Sequence, residues 1–311
     1  MGGVTDREFD IVLYGATGFV GALVAAHLAQ AAGPGVRIAL AGRSGERLRA
    51  VRDGLGEPAG EWPLLEVDAT DAAGLRAAAA RTTVLATTVG PYLRHGKAAV
   101  RAAAEEGTHY ADLTGEALFV RWSLDEVAAR ARETGARIVH SCGFDSIPSD
   151  LGVQATAQRA ARDGEGTLRE ATLVVRALRG GISGGTVDSL RRQAIEAQRD
   201  PRARGVLRAP YGLSPRRAEE PEPLMSHARS LPVERDAATG TWLGPFVMAS
   251  YNTRLVRLSN ALTGWSHGRG LRYREVTDLG TGPAAPLRAA GLTAGLGARY
   301  VGRSWAPTRA G

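Results

Sequence analysis

Residues 10–21 read DIVLYGATGFVG, and this stretch changes character twice along its length. Ile11, Val12, Leu13 and Tyr14 form a short, mostly apolar, β-prone run, the pattern of a strand buried in a parallel sheet. The run stops at Gly15, after which Gly15, Gly18 and Gly21 recur every three residues. From Gly18 onward, Val20, Leu23, Val24 and Leu28 fall at helical spacing. A strand, a glycine turn and a helix in this order make the phosphate-binding corner of a Rossmann unit. The glycines let the backbone approach a pyrophosphate, and the helix N-terminus offers N–H groups and a positive dipole end. Gly15, Ala16, Thr17, Gly18, Phe19 and Gly21 are therefore expected to hold a dinucleotide. The G-x-x-G-x-x-G spacing is a variant common among NADP-dependent reductases. The plainer alternative is a glycine-rich turn with no ligand.

Strand and helix patterns alternate outward from this corner to about residue 162. Arg37–Gly42 reads as strand two, and Ser44 can cap a helix carrying Leu48, Val51 and Leu55. Trp62–Val67 is strand three, and Asp71 opens an alanine-rich helix. Thr83–Val89 is β-branched enough for strand four. Gly90-Pro91 ends it, and a helix runs from about Arg94 to Glu106. His109–Leu113 and Arg137–Ser141 are strands five and six, with a helix between them closed by Gly135. A further helix starts near Ser149 after Pro148. Six units of this kind predict a doubly wound α/β sheet with its ligand at the carboxyl ends of the strands.

Beyond residue 162 the pattern changes. Arg169–Leu178 is a long strand, Thr186–Gln198 a helix, and 201–240 an extended excursion with little core. Phe246–Leu262 is apolar again, and Leu271–Val276 is another strand. The expected division is a Rossmann domain over 1–162, a smaller α+β domain over 163–278, and a Gly/Ala/Arg-rich tail over 279–311.

The bulk numbers bound the function. The chain has 311 residues, 44% apolar and 23% charged, an ordinary soluble composition. The single cysteine, Cys142, excludes an internal disulfide framework and fits a reducing compartment. Asp6, Arg7 and Glu8 precede the first strand, so no secretory signal is read, and no apolar run reaches 18 residues. A cytoplasmic protein is expected. Residues 1–150 hold 15 basic and 19 acidic side chains, net −4, whereas 151–311 hold 24 and 13, net +11. A basic second half suits an anionic acyl carrier, CoA-type phosphates or peripheral contact with an acidic membrane. A solvated arginine-rich face is the bland alternative. Without aromatic interleaving or a nucleic-acid motif, no nucleic-acid partner is expected.

Several residues at the expected ligand rim carry chemistry. Arg43 stands after strand two, where NAD-preferring proteins place an acid for the ribose 2′-OH; an arginine accommodates a 2′-phosphate instead. Arg43, with Ser44 and Arg47, is expected to select NADP(H). Asp68, ending strand three, either touches the adenine amino group or caps the next turn. Thr88, Val89, Gly90 and Pro91 follow strand four, where small residues and backbone carbonyls let the nicotinamide half lie close. Tyr92 and His95 come next and can reach a substrate oxygen as proton donors, although a core role is the weightier reading of each. Asp112 and Glu116 lie on the same rim, Asp112 as a loop anchor and Glu116 as a charge at the start of the next helix. A nucleophilic Cys142 needs a base beside it, and His140 alternates with it along strand six and can share its face, but nothing shows activation, so Cys142 reads as a buried structural thiol. No cluster has metal-ligand spacing, and G-x-S-x-G is absent.

GATGFVG, AGR, the GPY after strand four, HYADLTGE and CGFDSIPSDLG together resemble the saccharopine dehydrogenase-like oxidoreductases, and within them the trans-acting enoyl reductase branch of actinobacteria. SGGTVDS (183–189) and PFVMASYN (245–252) extend the resemblance into the second domain, so that it covers roughly residues 8–278. It implies NADP(H) binding by the first domain and reduction of an enoyl thioester or related lipid or polyketide intermediate, alongside a synthase lacking its own enoyl reductase. It supplies no settled catalytic residue. An imine reductase of the saccharopine type is the enzymatic alternative, and a non-catalytic NADP-binding redox sensor the alternative of another class. The pattern departs from the family's after Asp278, where a truncated or frameshifted tail is one reading.

Overall fold

The computed structural model describes residues 7–57, 59–177, 184–221, 233–237, 239–288 and 291. They form two compact units, one of 1–143 with 184–189 and one of 144–183 with 190–311.

The first unit alternates strands and helices in chain order. β1 (Phe9–Tyr14), α1 (Phe19–Ala31), β2 (Ile38–Gly42), α2 (Gly45–Leu55), β3 (Leu64–Glu66), α3 (Ala72–Ala80) and β4 (Thr82–Thr87) make its first half. α4 (Tyr92–His95), α5 (Lys97–Glu106), β5 (His109–Asp112), α6 (Ala117–Glu126), α7 (Ala128–Thr134) and β6 (Ile138–Val139) make its second. The six strands lie in the order β3-β2-β1-β4-β5-β6, all pairs parallel. The order reverses between β1 and β4, where an open sheet leaves a crevice at its carboxyl edge. The doubly wound sheet expected from the sequence is present, each strand within a few residues of its predicted span.

Alternation of side chains divides the core into two layers. Val12, Tyr14, Leu85 and Tyr110 face the cluster holding Leu75, Val100 and Phe119. Leu13, Ile38 and Leu40 face the cluster of Ala25, Leu48 and Trp62. Buried Ala78, Ala79, Ala99, Ala102 and Ala103 let α3 and α5 pack closely on the first layer. Burying a side chain the size of Phe119 contributes about 1.5–3 kcal/mol. The caps match the residues that flank each helix. Ser44 Oγ accepts from Arg47 N at the start of α2, Asp71 Oδ1 from Gly74 N at the start of α3, and Gly107 and Gly135 end α5 and α7 in left-handed conformation. The helix expected from Arg94 to Glu106 is broken at Gly96. A Cβ there would lie 2.9 Å from the Phe119 ring, so the glycine leaves room for that ring.

The second unit holds α8 (Ile147–Arg162), β7 (Glu170–Val175), most of α9 (Gly184–Arg199) and α10 (Pro201–Arg208), followed by β8 (Glu234–Arg235), β9 (Trp242–Pro245), α11 (Ala249–Leu262) and β10 (Arg272–Asp278). Its sheet runs β7-β10-β9-β8, with β7 parallel to β10 and the other pairs antiparallel. α8 packs on α11, which packs on β10, around Val153, Val256, Leu271 and Tyr273. The expected excursion over 201–240 is partly a helix. Asp200 caps α10 by accepting from Arg202 N, and Pro201 stands at its first position, where its missing N–H costs nothing. The expected strand over 169–178 is present as β7; its last residue, Leu178, together with Ser183 of SGGTVDS, residues 222–232 of the excursion and most of the tail, lies outside the described residues.

Candidate dinucleotide site and the rim around it

The glycine corner is built from three close approaches. Gly15 has φ +92°, and a Cβ there would fall 2.7 Å from Val89 Cγ2 and 2.8 Å from Thr88 Oγ1. A Cβ on Gly21 would lie 2.0 Å from the Gly15 carbonyl oxygen, so α1 leaves the turn against bare backbone. Gly18 N donates to Gly15 O at 3.0 Å. Gly18 then caps α1 with no side-chain acceptor, and the first turn holds no acid. That helix start therefore offers its N–H groups and dipole to an anion. The bare backbone of Gly15–Gly21 and the uncapped helix start have the shape and dipole to take an anion such as a pyrophosphate.

β4 arrives beside this corner. Thr88 N donates to Tyr14 O at 3.0 Å and Thr88 Oγ1 to Gly15 O at 3.2 Å. The sequence-predicted Thr88 and Val89 thus stand against Gly15, with Gly90 and Pro91 following through a cis peptide. On the other side of β1, Arg43 is exposed after β2 and makes no ion pair among the described residues. Ser44 uses its oxygen as the α2 cap. Glu66, at the end of β3, accepts from Gly45 N at 3.0 Å. The sequence reading missed Glu66; its signal was an acid closing a strand whose neighbour opens a helix.

Asp68 Oδ1 accepts from Thr70 N at 2.9 Å and Thr70 Oγ1 at 2.6 Å. Those two bonds, then the positive charges of Arg43 and His95, hold its carboxyl below the usual range. Tyr14 is pushed up to about 12 by burial and by the Asp68 charge, with Arg43 opposing. Arg43, Asp68, Tyr14 and His95 therefore share one electrostatic neighbourhood at the carboxyl edge of the sheet.

Tyr92 is buried. Its hydroxyl donates to Thr87 O and accepts from Leu113 N, each at 3.2 Å, which ties the ends of β4 and β5. His95 closes α4 and is half-buried. Glu116 differs from its expected part. It precedes α6 but makes no side-chain cap there. Fully buried, its carboxylate turns to α4 and accepts from Tyr92 N at 2.8 Å and Leu93 N at 3.0 Å, and from Ser189 Oγ at 2.8 Å. Asp112 is also buried, and Oδ1 accepts from Thr114 N at 2.9 Å and Ser141 N at 3.0 Å. Its Oδ2 lies 2.7 Å from His140 Nδ1, whose Nε2 is 2.9 Å from Ser123 Oγ. This buried Asp112–His140–Ser123 chain fixes the loops after β5 and β6, and Ser141 holds φ +64° within it. Spacing in the sequence did not bring these three together. The Cys142 thiol is raised by burial and by the Asp112 charge, which makes it a poor nucleophile.

Residues 11–139 match the family of the saccharopine dehydrogenase NADP-binding domain. A Mycobacterium tuberculosis (strain H37Rv) protein named as a trans-acting enoyl reductase is 51% identical over 288 residues, covering 91% of this chain and 68% of that protein. The trans-acting enoyl reductase of Mycobacterium bovis (strain BCG) is 49% identical over 311 residues, covering 96% and 73%. The chain belongs to the trans-acting enoyl reductase family. It is an NADP-dependent oxidoreductase, and the cofactor and fold expected from its sequence hold. Among solved structures, the apo saccharopine dehydrogenase (L-Glu forming) of Saccharomyces cerevisiae is similar at 18% identity and a TM-score of 0.45, over 87% of this chain and 55% of that one. No helix among the described residues is long and apolar enough to cross a membrane.

Proposed function

We propose that the protein reduces the carbon–carbon double bond of an enoyl thioester, a lipid or polyketide intermediate presented by a carrier on another chain. The observation that carries this reading is the 49–51% identity, over nearly the whole chain, to proteins named as trans-acting enoyl reductases, joined to a corner shaped for a dinucleotide. NADPH, when bound, supplies the hydride to the β-carbon. The developing enolate oxygen then needs a hydrogen-bond donor, and the α-carbon a proton.

In this reading Gly15, Ala16, Thr17, Gly18, Phe19 and Gly21 hold the pyrophosphate, Arg43 with Ser44 the 2′-phosphate, and Thr88, Val89, Gly90 and Pro91 the nicotinamide half. Asp68 closes the adenine side while keeping its own turn. Tyr92 and His95 are the proposed proton donors. The Tyr92 hydroxyl has one proton, directed at Thr87 O, so donation to substrate requires exchanging that bond. Glu116 keeps the start of α4 in place, and Asp112 with His140 sets the loops beside it. The test is NADPH consumption with long-chain enoyl thioesters against lysine-derived imines. Turnover of the thioesters supports the proposal; turnover of imines alone replaces it with the saccharopine-type reaction.

A further inference from the structure

One stretch of the second unit treats its arginines differently from the rest of the chain, where Arg159, Arg272 and Arg274 pair with Asp163, Glu170 and Glu234. In the first unit many are answered by a neighbouring acid: Arg37 by Asp10, Arg76 by Glu106, Arg81 by Glu8, Arg130 by Glu133. From 191 to 217 the chain carries eight arginines and two acids. One of those acids, Asp200, is occupied as the α10 cap. Arg204 turns back onto the last carbonyls of α9, at Ala197 and Gln198. Arg191, Arg199, Arg202, Arg208, Arg216 and Arg217 are exposed, and none has an ion-pair partner among the described residues. This stretch shows no exposed large hydrophobic side chain. The surface is well anchored from below, since Arg254 and Arg257 of α11 donate to the carbonyls of Ala209 and Pro210. Uncompensated like charges on a fixed backbone repel one another and mark a place where an external anion is favoured.

We propose that the arginine surface of α9 and α10 docks the acidic face of the carrier domain that presents the thioester. The inference rests on the enoyl-thioester reading above and adds the surface through which that substrate arrives. An enzyme serving a tethered substrate must bind and release its carrier in every turnover. Small polar contacts steered by charge do this, whereas broad apolar interfaces hold too long. The absence of exposed apolar side chains on this stretch favours an acidic protein over insertion into a lipid surface.

The experiment compares wild-type protein with R199E/R202E/R208E, and with R130E as a charge-reversal control on the first unit. Rates are measured with one long-chain trans-2-enoyl group offered on a carrier domain and on free pantetheine. Direct binding of the holo-carrier is titrated at low and high salt. The triple variant should raise KM for the carrier-bound substrate about tenfold or more, leave kcat and the pantetheine KM unchanged, and bind holo-carrier equally weakly at both salts. R130E should behave as wild type. Equal losses on both substrates, unchanged carrier KM, or salt-independent wild-type binding would overturn the docking surface. So would loss of binding to anionic phosphatidylserine vesicles with carrier binding intact. If neither thioester is reduced, the enoyl reading falls separately, while the holo-carrier titration still decides the surface.

Discussion

Arg43 carries the cofactor preference at the scale of one residue. It stands exposed after β2, and Asp68, the carboxylate within its electrostatic reach, is engaged by Thr70. One charge-assisted contact to a 2′-phosphate is worth about 1.5–3 kcal/mol, so Arg43→Ala should weaken NADPH on the order of ten- to a hundredfold and leave NADH nearly unchanged. Paired binding titrations check this, and equal wild-type affinities for the two cofactors would contradict it. Gly21→Ala tests the corner itself. With 2.0 Å between the new Cβ and Gly15 O, α1 must shift, and NADPH binding should be lost in a chain that still folds. Gly15→Val should do the same by filling the space beside Val89. Tyr92→Phe removes a hydroxyl that two strands share. Leu113 N–H then loses its acceptor, at a cost of about 1–3 kcal/mol, which a denaturant titration reads. Under the proposed role turnover also falls while NADPH affinity holds. Unchanged turnover would leave the hydroxyl a purely structural tie.

At the scale of elements, the strand–turn–helix corner was legible because its residues are sequence neighbours and their types are set by backbone geometry. The same holds for the six parallel strands, whose apolar runs need no knowledge of partners. α10 was missed although Asp200 and Pro201 spell a helix start, because the Arg- and Pro-rich composition around them hid it. The room that Gly96 leaves for the Phe119 ring was not legible, since that ring arrives from another helix. Nor was Glu116, whose carboxylate serves α4 from 23 to 24 residues away, nor the Asp112–His140–Ser123 chain assembled from three elements. Long-range polar pairing leaves no period in a sequence. α10 also gives a stability prediction: Asp200→Ala removes its cap, and should cost about 0.5–2 kcal/mol in a thermal or denaturant transition. No change would mean that this helix contributes nothing to the folded state.

For the whole molecule, the second unit buries carboxyls whose pKa that burial raises. Asp145, Asp150 and Glu275 are all raised chiefly by desolvation. Glu275 sits among Asn252 Nδ2 at 3.1 Å and the Tyr273 hydroxyl at 2.8 Å, and Asp150 accepts from Ser259 Oγ at 2.8 Å. The unfolded chain releases these protons in the normal carboxylate range, and the folded unit releases them higher. Their contribution is complete below that range and is lost as pH rises through the raised values. Unfolding midpoints should fall across that window, and Glu275→Gln should flatten the fall; an unchanged slope would contradict this. Asp10 and Glu8, lowered by Arg37 and Arg81, act in the opposite sense on the acid side, weakly because they face water. The central claim, hydride transfer from NADPH to an enoyl thioester, is tested most directly by the absorbance of reduced nicotinamide during incubation with a long-chain trans-2-enoyl thioester. The account predicts loss of that absorbance with NADPH, formation of the saturated thioester, and little loss with NADH. Tight NADPH binding with no loss on any enoyl thioester would contradict it.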